Sequence, residues 1–442
     1  MIKTATCYST YKYMTWNQRT SAVKQGFALV ITLAATVWSI GHVDSSSRMI
    51  LIPVALICPL VSRGLALLIL VLGYLVPQSI LGGPSIAALP YLMLGVMLAS
   101  LIYFRLILRS RSEYEVPKSV LVCFAGLVLI ILISSLFSFE DNEFSMDRWL
   151  ALPFFVLALG QFRNKTDRWM FLLALILSSA YFSYWAITQA AIVDIKQFNR
   201  GIVLTDPNYL ACWIDLGLIV VVATLLHLYV TNNKWRFALT VPASGFTALV
   251  IHGLTVGASR GMGVALLFAF GVLFLYSAWR NKFLIWVFLA LLMLGAHLWS
   301  LNLFENFRRR LDEGGTGERL EITQDAIHHF VNSPGWNLIM GNGSGSTFRI
   351  LGIHSHNVYT EMLLDYGVAG LLAFLILLGL AWWSAFRQEG EFRLIAIGWL
   401  AFLCIAGLSL SPFYYIWAWL ILAAIFAIPA RSLNFQQRAV GQ

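Results

Sequence analysis

The sequence predicts an all-α polytopic membrane protein of 12–14 transmembrane helices, with one long, partly helical loop from Leu301 to Ser355. Three observations predict it. Of 442 residues, 59% are hydrophobic and 12% charged, whereas water-soluble domains carry about 25% charged residues; the mean hydropathy is +0.76. Apolar runs of roughly 18–25 residues recur along the chain, the length that crosses a hydrocarbon layer about 30 Å thick. Lys and Arg gather in alternate loops, as they do where basic loops stay on the cytoplasmic side of a membrane.

The elements follow in order. Lys3, Lys12, Arg19 and Lys24 precede the first apolar run. With no small-residue cleavage site, they read as a cytoplasmic tail leading into an uncleaved helix. Candidate spans are 26–43, 49–62, 64–82, 86–104, 119–138, 148–162, 169–191, 208–230, 236–254, 262–279, 283–302, 357–386, 394–409 and 413–429. The second and the last two are short, hence 12–14. Spans and short loops account for nearly all the length, so 1–442 is expected to form a single integral membrane domain.

Basic loops set the orientation. Arg105 to Lys118, Arg163 to Arg168, Lys234 with Arg236, Arg280 with Lys282, Arg387 with Arg393, and Arg431 with Arg438 fall on one side. The positive-inside rule makes that side cytoplasmic, with both termini. The loops Glu140–Asp147, Val193–Asn208, Gly253–Gly261 and Leu301–Ser355 then face outward. Net charge +9 therefore records topology, not nucleic-acid binding. The five cysteines lack metal-ligand spacing and read as small buried hydrophobes. Eight histidines without His-x-x-x-His or carboxylate spacing predict no metal site.

Three residues at outward span edges attract chemistry. His356, in His356-Asn357, stands where the long polar loop re-enters an apolar run, followed after nine residues by Gly367-Val-Ala-Gly370. An imidazole titrates near neutral pH, and a general base is what a sugar hydroxyl needs to attack an activated anomeric carbon. Arg260, in Ser259-Arg260-Gly261, is a lone cation whose guanidinium forks onto phosphate oxygens. Arg200 lies eight residues before Asn208, and Asp206-Pro207-Asn208 signals a helix start with Asn208 as N-cap. Such a start turns backbone N–H groups toward an anion. Each has a blander reading: a structural histidine, and two arginines snorkelling to lipid phosphate. His354 is a weaker proton handler, His328 and His329 read as solvated, and Asp215 is the clearest carboxylate inside a span.

In the long loop, Glu318–Val331 is amphipathic at helical spacing, and Gly341-Asn-Gly-Ser-Gly345 reads as a flexible turn. Its backbone could also form a phosphate-binding nest. The loop reads as a lid or acceptor platform, or equally as a solvated face.

These residues resemble the O-antigen ligase and polymerase superfamily of bacterial inner membranes. The resemblance rests on His356-Asn357 with Gly367 and Gly370, on Ser259-Arg260-Gly261, on Arg200 before Asp206-Pro-Asn208, and on Arg319 leading the amphipathic stretch to Pro334 and Gly341-Asn-Gly. It covers roughly 197–378; the N-terminal third matches only in hydropathy. The resemblance implies a GT-C-like glycosyltransferase without cofactor or metal. Its donor would be an undecaprenyl-diphosphate glycan, taken up at the periplasmic face. Its acceptor would be a lipid A–core sugar in a ligase, or a second lipid-linked repeat unit in a polymerase. Carried over, Arg200 and Arg260 hold the diphosphate and His356 deprotonates the acceptor hydroxyl. Asn208, Arg319, Asn357 and His354 are expected substrate contacts around them. The ligase leads, the polymerase follows, and a lipid-linked glycan transporter comes third, because midplane charges and repeat symmetry are scarce.

Overall fold

The computed structural model describes residues 114–137, 146–162, 164–192, 207–257, 259–282, 316–353, 355–411 and 416–429, with isolated positions at 284 and 293. It is helical and polytopic, as the hydropathy requires. A two-residue strand β1 (Tyr114–Glu115) precedes α1 (Lys118–Phe137), α2 (Met146–Leu159), α3 (Lys165–Ile192), α4 (Pro207–Val230), α5 (Arg236–Gly257) and α6 (Arg260–Ala278). Then come α7 (Thr316–Val331), α8 (Gly335–Met340), α9 (Ser346–Leu351), α10 (Val358–Arg387), α11 (Gly390–Ala406), α12 (Ile416–Phe426) and β2 (Ile428–Pro429). The two strands pair antiparallel, Tyr114 with Pro429, a small departure from a purely helical expectation. Among the described residues, six helices are long and apolar enough to cross a membrane: α1, α3, α4, α5, α6 and α10. The candidate spans before residue 105 and most of 283–302 lie outside the described residues.

Lipid tails are as apolar as leucine, so helices here associate through close van der Waals contact and interhelical hydrogen bonds rather than by fleeing water. The centre of the bundle shows both devices. Helix α4 is the hub, buried along most of its apolar length, whereas α5 is largely exposed and faces outward. Gly217 lets α3 press close, since a Cβ there would collide with Ser179 and the Leu175 carbonyl. Ser179 Oγ donates to the Ile214 carbonyl at 2.7 Å. On the other side Trp399 Nε1 of α11 donates to the Leu216 carbonyl at 3.2 Å. Gly398 fits between Ile219 of α4 and Leu273 of α6, whose atoms stand 2.8 and 2.9 Å from where its Cβ would be.

These contacts fix helix direction. His227, at the end of α4, lies 3.6 Å from Glu391 at the start of α11. Helix α11 therefore runs antiparallel to α4 and α6, and its last turn lies toward their first turns. The Val358 N–H, opening α10, donates to the Gly407 carbonyl at 2.9 Å, just past the end of α11. Hence the N-termini of α4, α6 and α10 gather at one end of the bundle.

Two local expectations are corrected. Helix α4 begins at Pro207, so Asn208 sits inside the first turn and is not its N-cap. Proline suits the first helical position because its φ is already helical and its missing N–H costs nothing there. The apolar run 357–386 is one helix only by hydropathy: at Gly367 the backbone leaves the helical region (φ 68, ψ −169) and α10 breaks into a short N-terminal piece and a long span.

Candidate functional site

The end of the bundle where α4, α6 and α10 begin carries most of the described candidates. Arg260 is the first residue of α6, half-buried. Ser259 caps that helix, its Oγ lying 3.5 Å from the Met262 N–H, and donates to Asn208 Oδ1 of α4 at 2.6 Å. Two helix starts are thereby stapled together beside the guanidinium. The free N–H groups and positive dipole ends of such starts favour an anion.

His356 stands at the mouth of α10, half-exposed, with φ 51. It and Asn232 are the only non-glycine residues at positive φ among the described residues. A side chain held in that region costs of order 1–3 kcal/mol and persists where surrounding contacts over-determine it. Here they do. Asn357 caps α10, its Oδ1 accepting from the N–H groups of Tyr359 (3.0 Å) and Thr360 (3.4 Å). Ser355 Oγ accepts from the Asn357 N–H at 3.2 Å and donates to Glu361 Oε1 at 3.2 Å. Thr360 Oγ1 lies 3.2 Å from the same Ser355 Oγ. Ser355 and Glu361 are almost wholly buried, 2% and 1% exposed, so the strained histidine rests on a solvent-excluded polar floor. Asn357, expected to contact substrate, uses its carbonyl oxygen as the cap.

Below that floor α10 breaks, and the break organises the long loop. In an unbroken helix the carbonyls of Leu364 and Asp365 would accept from N–H groups four residues on; the kink at Gly367 removes those donors. The glycine turn supplies others. Asn342 N–H donates to Leu364 O and Gly343 N–H to Asp365 O, each at 2.9 Å, and Ser134 Oγ of α1 adds a bond to Asp365 O at 2.7 Å. The Asp365 carboxylate, 0% exposed, accepts from Gly345 N–H (3.0 Å), Ser346 Oγ, Thr347 N–H and Thr347 Oγ1 (2.8 Å each). The turn expected to be flexible, or to cradle phosphate, is instead wrapped around the protein's own carboxylate. Gly367 and Gly370 are explained by the same break. A Cβ at Gly367 would enter the Ile339 carbonyl, and one at Gly370 would enter Tyr366 Cβ, which the kink swings over it.

The remaining expected site residues divide by position. Arg200 and His354 lie outside the described residues. Arg319 lies on α7, whose Ala326 and Phe330 pack on Leu364 of α10, but nothing is described of its side chain. His328 and His329 are exposed, as expected. Sequence reasoning missed the Ser259–Asn208 staple, the Ser355–Thr360–Glu361 floor and the Asp365 clasp. Only the first had a local signal, a serine standing just before a helix start.

Residues 244–375 match a family model described as O-Antigen ligase. That match covers less than half of the chain and supports, over this stretch, the resemblance to the O-antigen ligase and polymerase superfamily. The matched stretch runs from within α5 into α10. It takes in Arg260, the His356-Asn357 mouth, the glycine clasp and the break at Gly367, and stops short of Asn208 and Arg200. No curated protein matches the chain. The match supports a membrane enzyme of the O-antigen ligase or polymerase type, a family that implies lipid-linked glycan substrates.

Proposed function

We propose that this protein is an O-antigen ligase-type transferase of the bacterial inner membrane. It moves a glycan en bloc from undecaprenyl diphosphate to a lipid A–core sugar at the periplasmic face, the whole chain acting as one membrane domain. One observation carries the reading: the starts of α4, α6 and α10, bearing Asn208, Arg260 and His356, share one end of the bundle. In this mechanism His356 accepts the proton of the acceptor hydroxyl as its oxygen attacks the anomeric carbon. The bond to the diphosphate oxygen breaks on the opposite side, and the configuration inverts. Arg260, with Arg200, neutralises the departing diphosphate. Donors aimed at developing charge in a water-poor site supply the largest single share of such catalysis. The donor is already activated, so the reaction needs neither nucleotide nor metal.

The test is reconstitution of the purified protein with undecaprenyl-diphosphate glycan and lipid A–core, in EDTA. Polymer-capped core is the expected product. Extended lipid-linked glycan with no capped core would make the protein a polymerase. Glycan carried across the bilayer without product would make it a transporter. Arg260→Lys is expected to be severely impaired, because an ammonium does not fork onto two phosphate oxygens; undiminished turnover would remove the clamp.

A further inference from the structure

The opposite end of the bundle holds a second built site, which the transferase reading leaves unused. Arg168, in the first turn of α3, is only 5% exposed. Its guanidinium is gripped on three sides. Its Cζ lies 3.7 Å from the centroid of the Tyr114 ring and 4.3 Å from that of the Phe392 ring, and Nη1 donates to Gln388 Oε1 at 3.0 Å. Gln388 is itself pinned, its Nε2 donating to the carbonyls of Ile425 (2.6 Å) and Ala427 (3.1 Å). The other two nitrogens, Nε and Nη2, are buried with no hydrogen-bond partner among the described residues. They form the lateral edge of the guanidinium, whose two parallel N–H groups fork onto a carboxylate or phosphate. A charged donor left so costs more than the roughly 1–3 kcal/mol of a neutral one.

Arg168 lines a cavity of about 590 Å³ that also exposes Lys165, Trp169 and the Glu389–Gly390 turn. A second cavity of about 290 Å³ shares that turn and adds Arg280 and Arg393. Glu391, on the wall of the first, is already engaged by Lys165 at 4.0 Å and His227 at 3.6 Å. Among the described residues lining the two cavities, four fixed cations (Lys165, Arg168, Arg280, Arg393) face two carboxylates (Glu389, Glu391), leaving two positive charges over. Trp169, 38% exposed, has the amphipathic ring suited to a headgroup layer.

We propose that this cavity binds the phosphodiester of an anionic membrane phospholipid. Its two free oxygens take the Nε and Nη2 edge of Arg168, and Lys165 stands at the rim. The site lies at the far ends of α4 and α6 from His356, so it is distinct from the transfer site.

Native mass spectrometry and thermal unfolding of the full-length protein, with phosphatidylglycerol or phosphatidylcholine as probe, test it. The wild type is expected to retain phosphatidylglycerol and to be stabilised by it, with phosphatidylcholine much weaker. Retention should fall about tenfold or more in Arg168→Gln, the loss of one charge-assisted fork, and by less in Arg168→Lys. Lys165→Gln, at an exposed rim residue that leaves the core intact, should weaken retention about twofold. Glu389→Gln should strengthen it by removing a competing carboxylate. Equal retention of both lipids, or no change in the Arg168 variants, overturns the proposal. So does Glu389→Gln destabilising the protein with lipid retention unchanged, since Glu389 would then be the partner of Arg168. Equal stabilisation by inorganic phosphate in detergent would overturn the lipid and leave the fork to a soluble oxyanion.

Discussion

The two ends of this helical bundle treat buried polar groups in opposite ways. At the His356 end the kink in α10 strips two carbonyls of their helical donors, and the chain replaces them from its own glycine turn and from Ser134. The carboxylate of Asp365 is likewise filled from within, by four donors. At the Arg168 end a guanidinium is also buried, yet two of its nitrogens are filled by nothing in the described chain. The first end is preorganised: its loop and helix mouth are locked before any substrate arrives. The second is complete only with a guest. Preorganisation is what a transferase needs where charge develops, because donors already fixed cost no reorganisation at the moment of reaction.

That contrast can be broken from the His356 end, beginning with the largest expected effect. His356→Ala is expected to lower transfer on the order of 10²–10⁴-fold, the usual contribution of a general base, with membrane insertion and donor binding retained. Near-normal product in a reconstituted assay would show that the locked mouth positions something other than a base. Gly367→Ala should be next, because a methyl group must enter the Ile339 carbonyl at a positive φ. A loss of several kcal/mol, roughly the 1–3 of the backbone strain plus the clash, should appear as a sharply lowered unfolding temperature. Wild-type stability would mean that the break in α10 is not obligatory.

Asp365→Asn sharpens the comparison more finely. The amide keeps one acceptor oxygen where the carboxylate offered two, and it presents an NH₂ to donors. The expected cost is about 1–3 kcal/mol for the stranded groups, and limited proteolysis should now cut within 341–347. An uncut loop in that variant would show that backbone bonds alone hold the turn. The smallest effect is expected from Ser259→Ala, which removes both the α6 cap and the staple to Asn208. About 1 kcal/mol of stability should be lost, with KM for the lipid-linked donor rising more than kcat falls, since Arg260 keeps its charge but loses its anchor. An unchanged KM would separate the staple from donor binding.

Much of this was legible in the residues. Helices α3, α4, α5 and α6 begin and end within a few positions of their hydropathy boundaries, because a membrane span advertises itself within its own twenty residues. The amphipathic stretch 318–331 became α7 for the same local reason. The apolar run at 357–386 hid the break at Gly367, because hydropathy is blind to one residue's φ. The glycine turn misled for a different reason. Glycine permits flexibility, but here it permits close approach, and which of the two applies depends on Asp365 about twenty residues later.

Composition, apolar run length and loop charge therefore determined by themselves that the chain is a polytopic helical membrane protein, and they put His356 and Arg260 at span edges. Each of those signals is contained in one segment. Tertiary structure alone decided that the starts of α4, α6 and α10 meet, that Ser259 is stapled to Asn208, and that Asp365 holds the long loop. Those facts turn on hydrogen bonds between helices and loops that hydropathy does not encode, and in lipid such bonds and close backbone contacts, rather than apolar burial, choose which helices touch.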